Sequence, residues 1–228
     1  MLAGALVGWL KRPEPGRVDQ AWHWLGLFLD ELFFRGYRRI AVKEPVFIVG
    51  VPRSGTTALH RALAHDPQFT TFSTWECLLA PSITARKLWL GLAALDRRLG
   101  RPGERLIRGG QRLLAGGMET IHPTDLAAPE EDYLALMPIL ACFVLVLPFP
   151  WSGDLWRLGR FDRDATPAER NHVMGFYRAC LQRHLYVHGS HKRLLSKNAS
   201  FSPMVESLAQ SFPDARFICC MRVPEQTV

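Results

Sequence analysis

The chain has 228 residues, of which 48% are hydrophobic, 21% charged and 11% aromatic, a composition that buries a core and excludes a disordered or fibrous protein. Its length suits one domain with decorations, and its formal charge of +7 favours anionic ligands. The basic residues lie in short pairs (Lys11-Arg12, Arg38-Arg39, Arg97-Arg98, Lys192-Arg193), which read as solvated faces and argue against nucleic-acid binding.

The first ten residues are apolar, but no positive residue precedes them and the run ends at Lys11. They match neither a signal peptide nor a membrane span. From Val18 to Arg39, Trp22, Leu25, Phe28, Leu29, Leu32 and Phe33 recur at helical spacing around Asp30 and Glu31, predicting an amphipathic packing helix. Residues 1–40 are thus expected to form a helical extension, whose aromatic weight leaves peripheral membrane contact open. After Pro45, Val46-Phe47-Ile48-Val49 reads as a fully buried parallel strand. Gly50 to Gly55 forms a loop, and Thr56 to Leu63 the helix that follows.

The stretch from Trp75 to Arg160 is expected to be mostly helical, with glycine-rich interruptions at Gly100–Gly103, Gly109-Gly110 and Gly116-Gly117 that suggest insertions rather than a second domain. Met137 to Pro150 is the most apolar run, too short and too proline-interrupted to span a membrane, and is expected to be a buried core element. A helix over Pro167–Tyr186, a strand at Arg193–Ser196, a helix over Ser202–Phe212 and a buried strand at Arg216–Met221 complete the pattern. Cys219 and Cys220 are expected to be small core residues of that last strand. The five cysteines are odd in number and contain no C-x-x-C pair, so they indicate neither zinc nor disulfides and suit a reducing, cytoplasmic setting. The excess of Arg over Lys reads as a GC-rich bacterial gene.

Gly50-Val51-Pro52-Arg53-Ser54-Gly55-Thr56-Thr57 places two glycines at Walker-loop spacing between a strand and a helix. Backbone amides of such a loop converge on an anion, and the helix N-terminus adds its dipole. The fold class that follows is α/β: a P-loop-like three-layer fold with a central parallel sheet and helical insertions. Where an ATPase loop carries lysine for the β- and γ-phosphates, this chain has Thr56. The cation lies instead inside the loop at Arg53.

The string GVPRSGTT, followed by His65-Asp66-Pro67 and Trp75-Glu76, resembles the sulfotransferases that use 3′-phosphoadenosine 5′-phosphosulfate (PAPS), especially the bacterial sulfotransferase-domain group and the protein-tyrosine sulfotransferases. Phe212-Pro213-Asp214-Ala215-Arg216-Phe217-Ile218 and Arg222-Val223-Pro224 are similar to the family's second cofactor motif. The resemblance implies PAPS as sulfuryl donor, no metal, and a donor site formed by Pro52, Arg53, Ser54, Gly55, Thr56, Thr57 and Arg222. The family's serine eight positions after that arginine would fall beyond Val228, and Val223 replaces its usual aspartate. The chain is therefore expected to be a single sulfotransferase domain, 1–228, cut short at its C-terminus.

Sulfuryl transfer needs a base for the acceptor hydroxyl and cations for the charge growing on the bridging oxygen and the SO₃ group. Arg53, with a permanently charged fork of donors, suits the second role. The resemblance gives the base to Glu76, against the alternative that this carboxylate only caps a helix start. It gives transition-state stabilisation to Lys197, which falls at the end of a predicted strand, where ligands gather in α/β sheets. His122 and the run Glu130-Glu131-Asp132 resemble a stretch of the bacterial group; His122 and Glu131 are candidates to line the acceptor pocket. First-turn dipole compensation is the alternative for two of the three acids. The expected activity is transfer from PAPS to a hydroxyl of a small, hydrophobic or lipid-like acceptor. Competing readings are a P-loop kinase, disfavoured by Thr56, and a non-catalytic nucleotide-binding protein.

Overall fold

The computed structural model describes residues 17–103, 105 and 128–223. Among the described residues four parallel strands form the sheet: β1 (Val46–Gly50), β2 (Phe69–Thr70), β3 (Arg193–Lys197) and β4 (Arg216–Cys220), in the order β2-β3-β1-β4. Every residue of β1 is buried, because it lies between two strands with both faces covered. On one face Val46, Ile48 and Leu195 pack under Leu59 and Leu63, which belong to helix α2 (Thr56–Leu63). On the other, Phe47, Val49 and Leu194 pack with Tyr177, Leu181 and Leu208. Sheet and two helical faces make the three layers.

Helix α1 (Arg17–Phe33) stops short of the expected Arg39, and a 3₁₀ turn at Arg35–Arg39 follows with Tyr37 buried. Asp30, which breaks the apolar pattern of α1 in the sequence, is fully buried and holds the backbone N–H groups of Ile83 and Thr84 at 2.8 Å each. It thereby ties α1 to the start of α4 (Ile83–Arg98), satisfying amides that a helix N-terminus leaves free. Helix α3 (Thr74–Leu79) directly precedes α4 in the chain.

Met137–Pro150 is the expected core element only in part: Pro138, Ala141, Cys142 and Val146 are buried and Ile139, Phe143, Leu145 and Phe149 pack half-buried against the core, but the segment is irregular. It folds as 3₁₀ turns at Asp132–Ile139 and Phe143–Val146, with Leu140 in a left-handed conformation and Leu147 79% exposed. Pro138 lies inside the first turn, and Pro148 and Pro150 follow, removing amide donors that a continuous helix or strand requires. Short helices α5 (Gly153–Arg157) and α6 (Phe161–Asp164) lead to α7 (Pro167–His188), whose start carries Thr166 and Glu169 in a reciprocal cap. The expected helix from Ser202 begins instead as a 3₁₀ turn, Ala199–Met204, and continues as α8 (Val205–Ser211).

The last strand also differs from expectation. Among the described residues β4 is an edge strand with Arg216 and Cys219 exposed and the others half-buried. Cys219 is therefore not a core residue, since an apolar run specifies a strand but not what covers it.

Candidate functional site

The helix after β1, α2, covers one face of the sheet, and the helix after β3, α8, covers the other. Neighbouring strands whose chains leave in opposite directions open a crevice at their carboxyl ends. The 50–57 loop occupies that place. Gly50 has φ +143°, and a Cβ there would meet the Cys220 carbonyl at 2.4 Å, so the loop begins where only glycine fits. Its amide donates to Ser202 Oγ at 3.2 Å, which fastens the end of β1 to the turn after β3. Gly55 (φ +94°) is the N-cap of α2 and offers no side-chain cap, so the first amides of the helix face the loop without a side-chain acceptor. Arg53 is held at φ +64°, a conformation uncommon outside glycine and frequent at ligand clamps.

Ser54 Oγ is buried with no hydrogen-bond partner among the described residues. Thr56 is buried, while Pro52, Arg53 and Thr57 are exposed. The Arg53 carbonyl accepts a bond from Arg222 Nη1 at 3.3 Å, so the two arginines expected to grip opposite ends of one donor molecule meet at this loop. Unpaired donors and two guanidinium groups fit a polyanionic nucleotide.

At the carboxyl end of β3 the side chains alternate between faces. Lys197 shares the α2 face with Leu195 and is 7% exposed; its ammonium is ion-paired with Glu131, whose side chain is 24% exposed. Ser196, on the α7 face, donates to Asp132 at 2.8 Å, and Tyr177 donates to the other oxygen of the same carboxylate. Burial outweighs these bonds and pushes Asp132 up to about 6. The neighbouring acids are delivered by residues 128–130, which run antiparallel to 72–74 through Glu130 N to Phe72 O at 2.9 Å and Thr74 N to Ala128 O at 3.2 Å. Glu130 accepts from Thr74 Oγ1 at 3.0 Å. Each acid of the run thus has its own cross-chain partner. His60, fully buried on α2, bonds Thr71 Oγ1 at 2.7 Å; burial, with Lys197 and Arg61 nearby, lowers it to about 4.

Glu76 sits elsewhere. It is 2% exposed at the start of α3, where one oxygen accepts from Ser73 N at 3.0 Å and Ser73 Oγ at 2.7 Å, a capping box. The other oxygen meets His188 Nε2 at 2.6 Å, Arg86 Nε at 3.3 Å and His184 Nδ1 at 3.5 Å. Burial would raise this carboxyl, but His184, His188 and Arg86 together outweigh it and hold the group far below the usual carboxylate range. His184, stacked on Phe72 at 4.3 Å, is lowered to about 4, chiefly by burial. Thr70 Oγ1 bonds its Nε2 at 2.8 Å, and Thr70 pairs with Leu194, near the start of β3. On α7, Tyr177 marks the level of Asp132, whereas His188 lies three turns further along, roughly 16 Å at 1.5 Å per residue. Glu76 therefore lies toward the amino ends of the strands, away from Lys197.

The liganding atoms of Glu76, His184 and His188 fall within 4.8 Å of one another, a spacing open to a metal ion. The fully buried Arg86 guanidinium beside them already supplies positive charge there. Of the residues singled out from sequence, the structure brings Arg53, Ser54 and Arg222 together at the loop and Lys197 with Glu131 on the adjoining strand. Glu76 is not among them, and His122 lies outside the described residues. Sequence reading missed Arg86, His184 and His188; the i,i+4 spacing of the two histidines on α7 was the available signal.

A model of the sulfotransferase family matches residues 45–228. No curated protein matches the chain. Among solved structures, the chain resembles sulfotransferase STF9 from Mycobacterium avium with a TM-score of 0.63 and 19% identity, over 99% of this chain and 57% of that one. Sulfotransferase STF1 from Mycobacterium tuberculosis H37Rv matches with a TM-score of 0.56 and 19% identity, over 97% of this chain and 60% of that one. The chain thus spans less than two thirds of either neighbour, and both likenesses concern the fold.

Proposed function

The chain belongs to the sulfotransferase family, and from that premise we propose that it moves a sulfuryl group from PAPS to a hydroxyl of a small hydrophobic acceptor. The observation that carries this reading is the loop itself: a strand-to-helix cradle with Ser54 Oγ unpaired among the described residues, Arg53 in a strained left-handed conformation, and Arg222 bonded to the Arg53 carbonyl. When bound, the donor would supply the activated sulfuryl group. The amides opening α2, with Ser54, Thr56 and Thr57, would hold its 5′ end, and Arg222 would reach for its 3′-phosphate. Arg53 and Lys197 would offset charge as it grows on the leaving oxygen, because fixed cations aimed at that point need no reorganisation during the reaction. The family resemblance gives removal of the acceptor proton to Glu76.

The acceptor class is supported by an exposed apolar surface on two packed helices. Helix α1 exposes Trp22, Leu25, Phe28 and Leu32, and α4, which packs against α1, exposes Leu88, Trp89 and Leu92. Such a surface suits lipid-like molecules or the rim of a membrane. Among the described residues no helix is long and apolar enough to cross a membrane.

Two measurements test the proposal. Titration calorimetry with adenosine 3′,5′-bisphosphate should show saturable binding that Arg53→Ala weakens. Incubation with ³⁵S-labelled PAPS and a total lipid extract should yield a labelled product identifiable by mass. Absence of bisphosphate binding by the full chain would defeat the reading, and phosphorylation from ATP without use of PAPS would replace it with a kinase.

A further inference from the structure

We propose that Glu131, resting against Lys197, is the base that takes the acceptor's proton, and that Glu76 is instead the anchor that positions α3, an inference that presupposes the sulfuryl-transfer reading.

Three observations separate the two carboxylates. The first is position. Glu131 is paired with the last residue of β3, on the strand that adjoins β1 and its loop. Glu76 is bonded to His188 at the far end of α7, beside the start of the same strand. A general base must come within hydrogen-bond reach of the proton it removes. The second is access. The Glu131 side chain is about a quarter exposed, whereas Glu76 is sealed at 2%, so an acceptor molecule reaches only the former without unfolding α3. His60, another titratable side chain near Lys197, is fully buried and bonded to Thr71.

The third is occupancy. Both oxygens of Glu76 are saturated by Ser73, His188 and Arg86. Of the partners found for the Glu131 carboxylate among the described residues, Lys197 is itself the group the reaction calls elsewhere. A phosphosulfate at the loop competes for that ammonium. As Lys197 turns to the anion, Glu131 loses its counter-ion and becomes a free hydrogen-bond acceptor facing the same crevice. The pair thus arms the base only when the donor is present.

The acceptor O–H bond breaks and its proton goes to Glu131. The oxygen's electron pair forms the new O–S bond. The bond from sulfur to the bridging oxygen breaks, its pair remaining on the 5′-phosphate, where Lys197 and Arg53 offset the charge. Glu131 then releases the proton to water.

The test uses the full chain with ³⁵S-labelled PAPS, a lipid extract and two surrogate acceptors, 1-dodecanol and p-nitrophenol. Glu131→Gln is expected to lower kcat for dodecanol ~10²–10³-fold, as for loss of a general base, with a much smaller loss for p-nitrophenol, which ionises unaided. PAPS affinity measured by calorimetry should rise a few-fold at the same time, because an anion near the donor has been neutralised. A residue serving only structure would not move these quantities in opposite directions. Glu76→Gln is expected to lower Tm and to reduce kcat per folded molecule less than Glu131→Gln does. If Gln at 131 unfolds the chain, Glu131→Asp carries the test through a fall in kcat with KM held. Glu131→Gln retaining kcat within about threefold, or a reversed ranking of the two variants, overturns the assignment alone. Wild-type protein that neither binds adenosine 3′,5′-bisphosphate nor transfers label overturns the sulfuryl-transfer reading beneath it.

Discussion

Acidification should weaken this protein at a pH where most carboxylates are still charged. His60 and His184 are fully buried and held down to about 4 from an ordinary 6.5. A group whose folded pKa is depressed supports a stability that is intact above its unfolded pKa and is lost as pH falls toward the folded value. For these histidines the window runs from about pH 6.5 down to about pH 4. At about pH 5 each costs ~2 kcal/mol relative to neutrality, or ~4 kcal/mol for both. Asp132 acts in the opposite sense. Its raised pKa of about 6 means its ionisation opposes folding near neutrality, and going to about pH 5 returns ~1.5 kcal/mol. The net loss is ~2.5 kcal/mol, a large share of the 5–15 kcal/mol typical of a domain. Urea unfolding followed by tryptophan fluorescence at about pH 7.5 and about pH 5 measures this loss. His60→Gln and His184→Gln should each remove about half of the histidine contribution. Equal or greater stability at the lower pH would refute the reasoning, as would a pH slope that survives both substitutions.

Three further outcomes follow from local geometry. Gly50→Ala puts a methyl group 2.4 Å from the Cys220 carbonyl at φ +143° and should destabilise by about 2–4 kcal/mol in urea melts, with loss of bisphosphate binding. Ser73→Ala removes the hydroxyl half of the cap at the start of α3 and should lower stability by about 1 kcal/mol, read as a smaller urea midpoint with unchanged slope. Arg53→Lys keeps the charge but loses the planar fork, and transfer of label from PAPS should fall by roughly 10²-fold or more, checked by initial rates at saturating donor.

What could be read without coordinates was local. Thr56 to Leu63 emerged with its expected bounds because a loop glycine, a hydroxyl pair and an amphipathic turn specify a helix start from neighbours in sequence. Lys197 was singled out by its match in position to the family's lysine, and the pattern Leu194-Leu195-Ser196-Lys197-Asn198 placed it at a strand end, where β3 has it. β2 was missed because two residues, Phe69 and Thr70, carry no periodicity. β4 was assigned to the interior because an apolar run does not say how many neighbours a strand has. The partners of the acids were invisible for a related reason. Glu76 meets His188 and Glu131 meets Lys197 across long separations, and nothing in either local sequence encodes the meeting. The motif therefore located a carboxylate but not its surroundings, and the surroundings decide what a carboxylate can do.

The adjacent acids Glu131 and Asp132 straddle the end of the sheet, one facing Lys197 and the other facing Ser196 and Tyr177. A strand that paired one residue out of register would exchange these faces, driving an ammonium into the apolar layer beneath α7 and presenting a serine hydroxyl to Glu131. Glu131 would then lose its cation, and Lys197 would meet Asp132 inside the apolar layer, where taking two charges out of water costs several kcal/mol per ion. The interleaved partners thus give β3 a means of rejecting wrong alignments while the sheet assembles, so that a chain which has closed its core has also set Lys197 in place beside the loop.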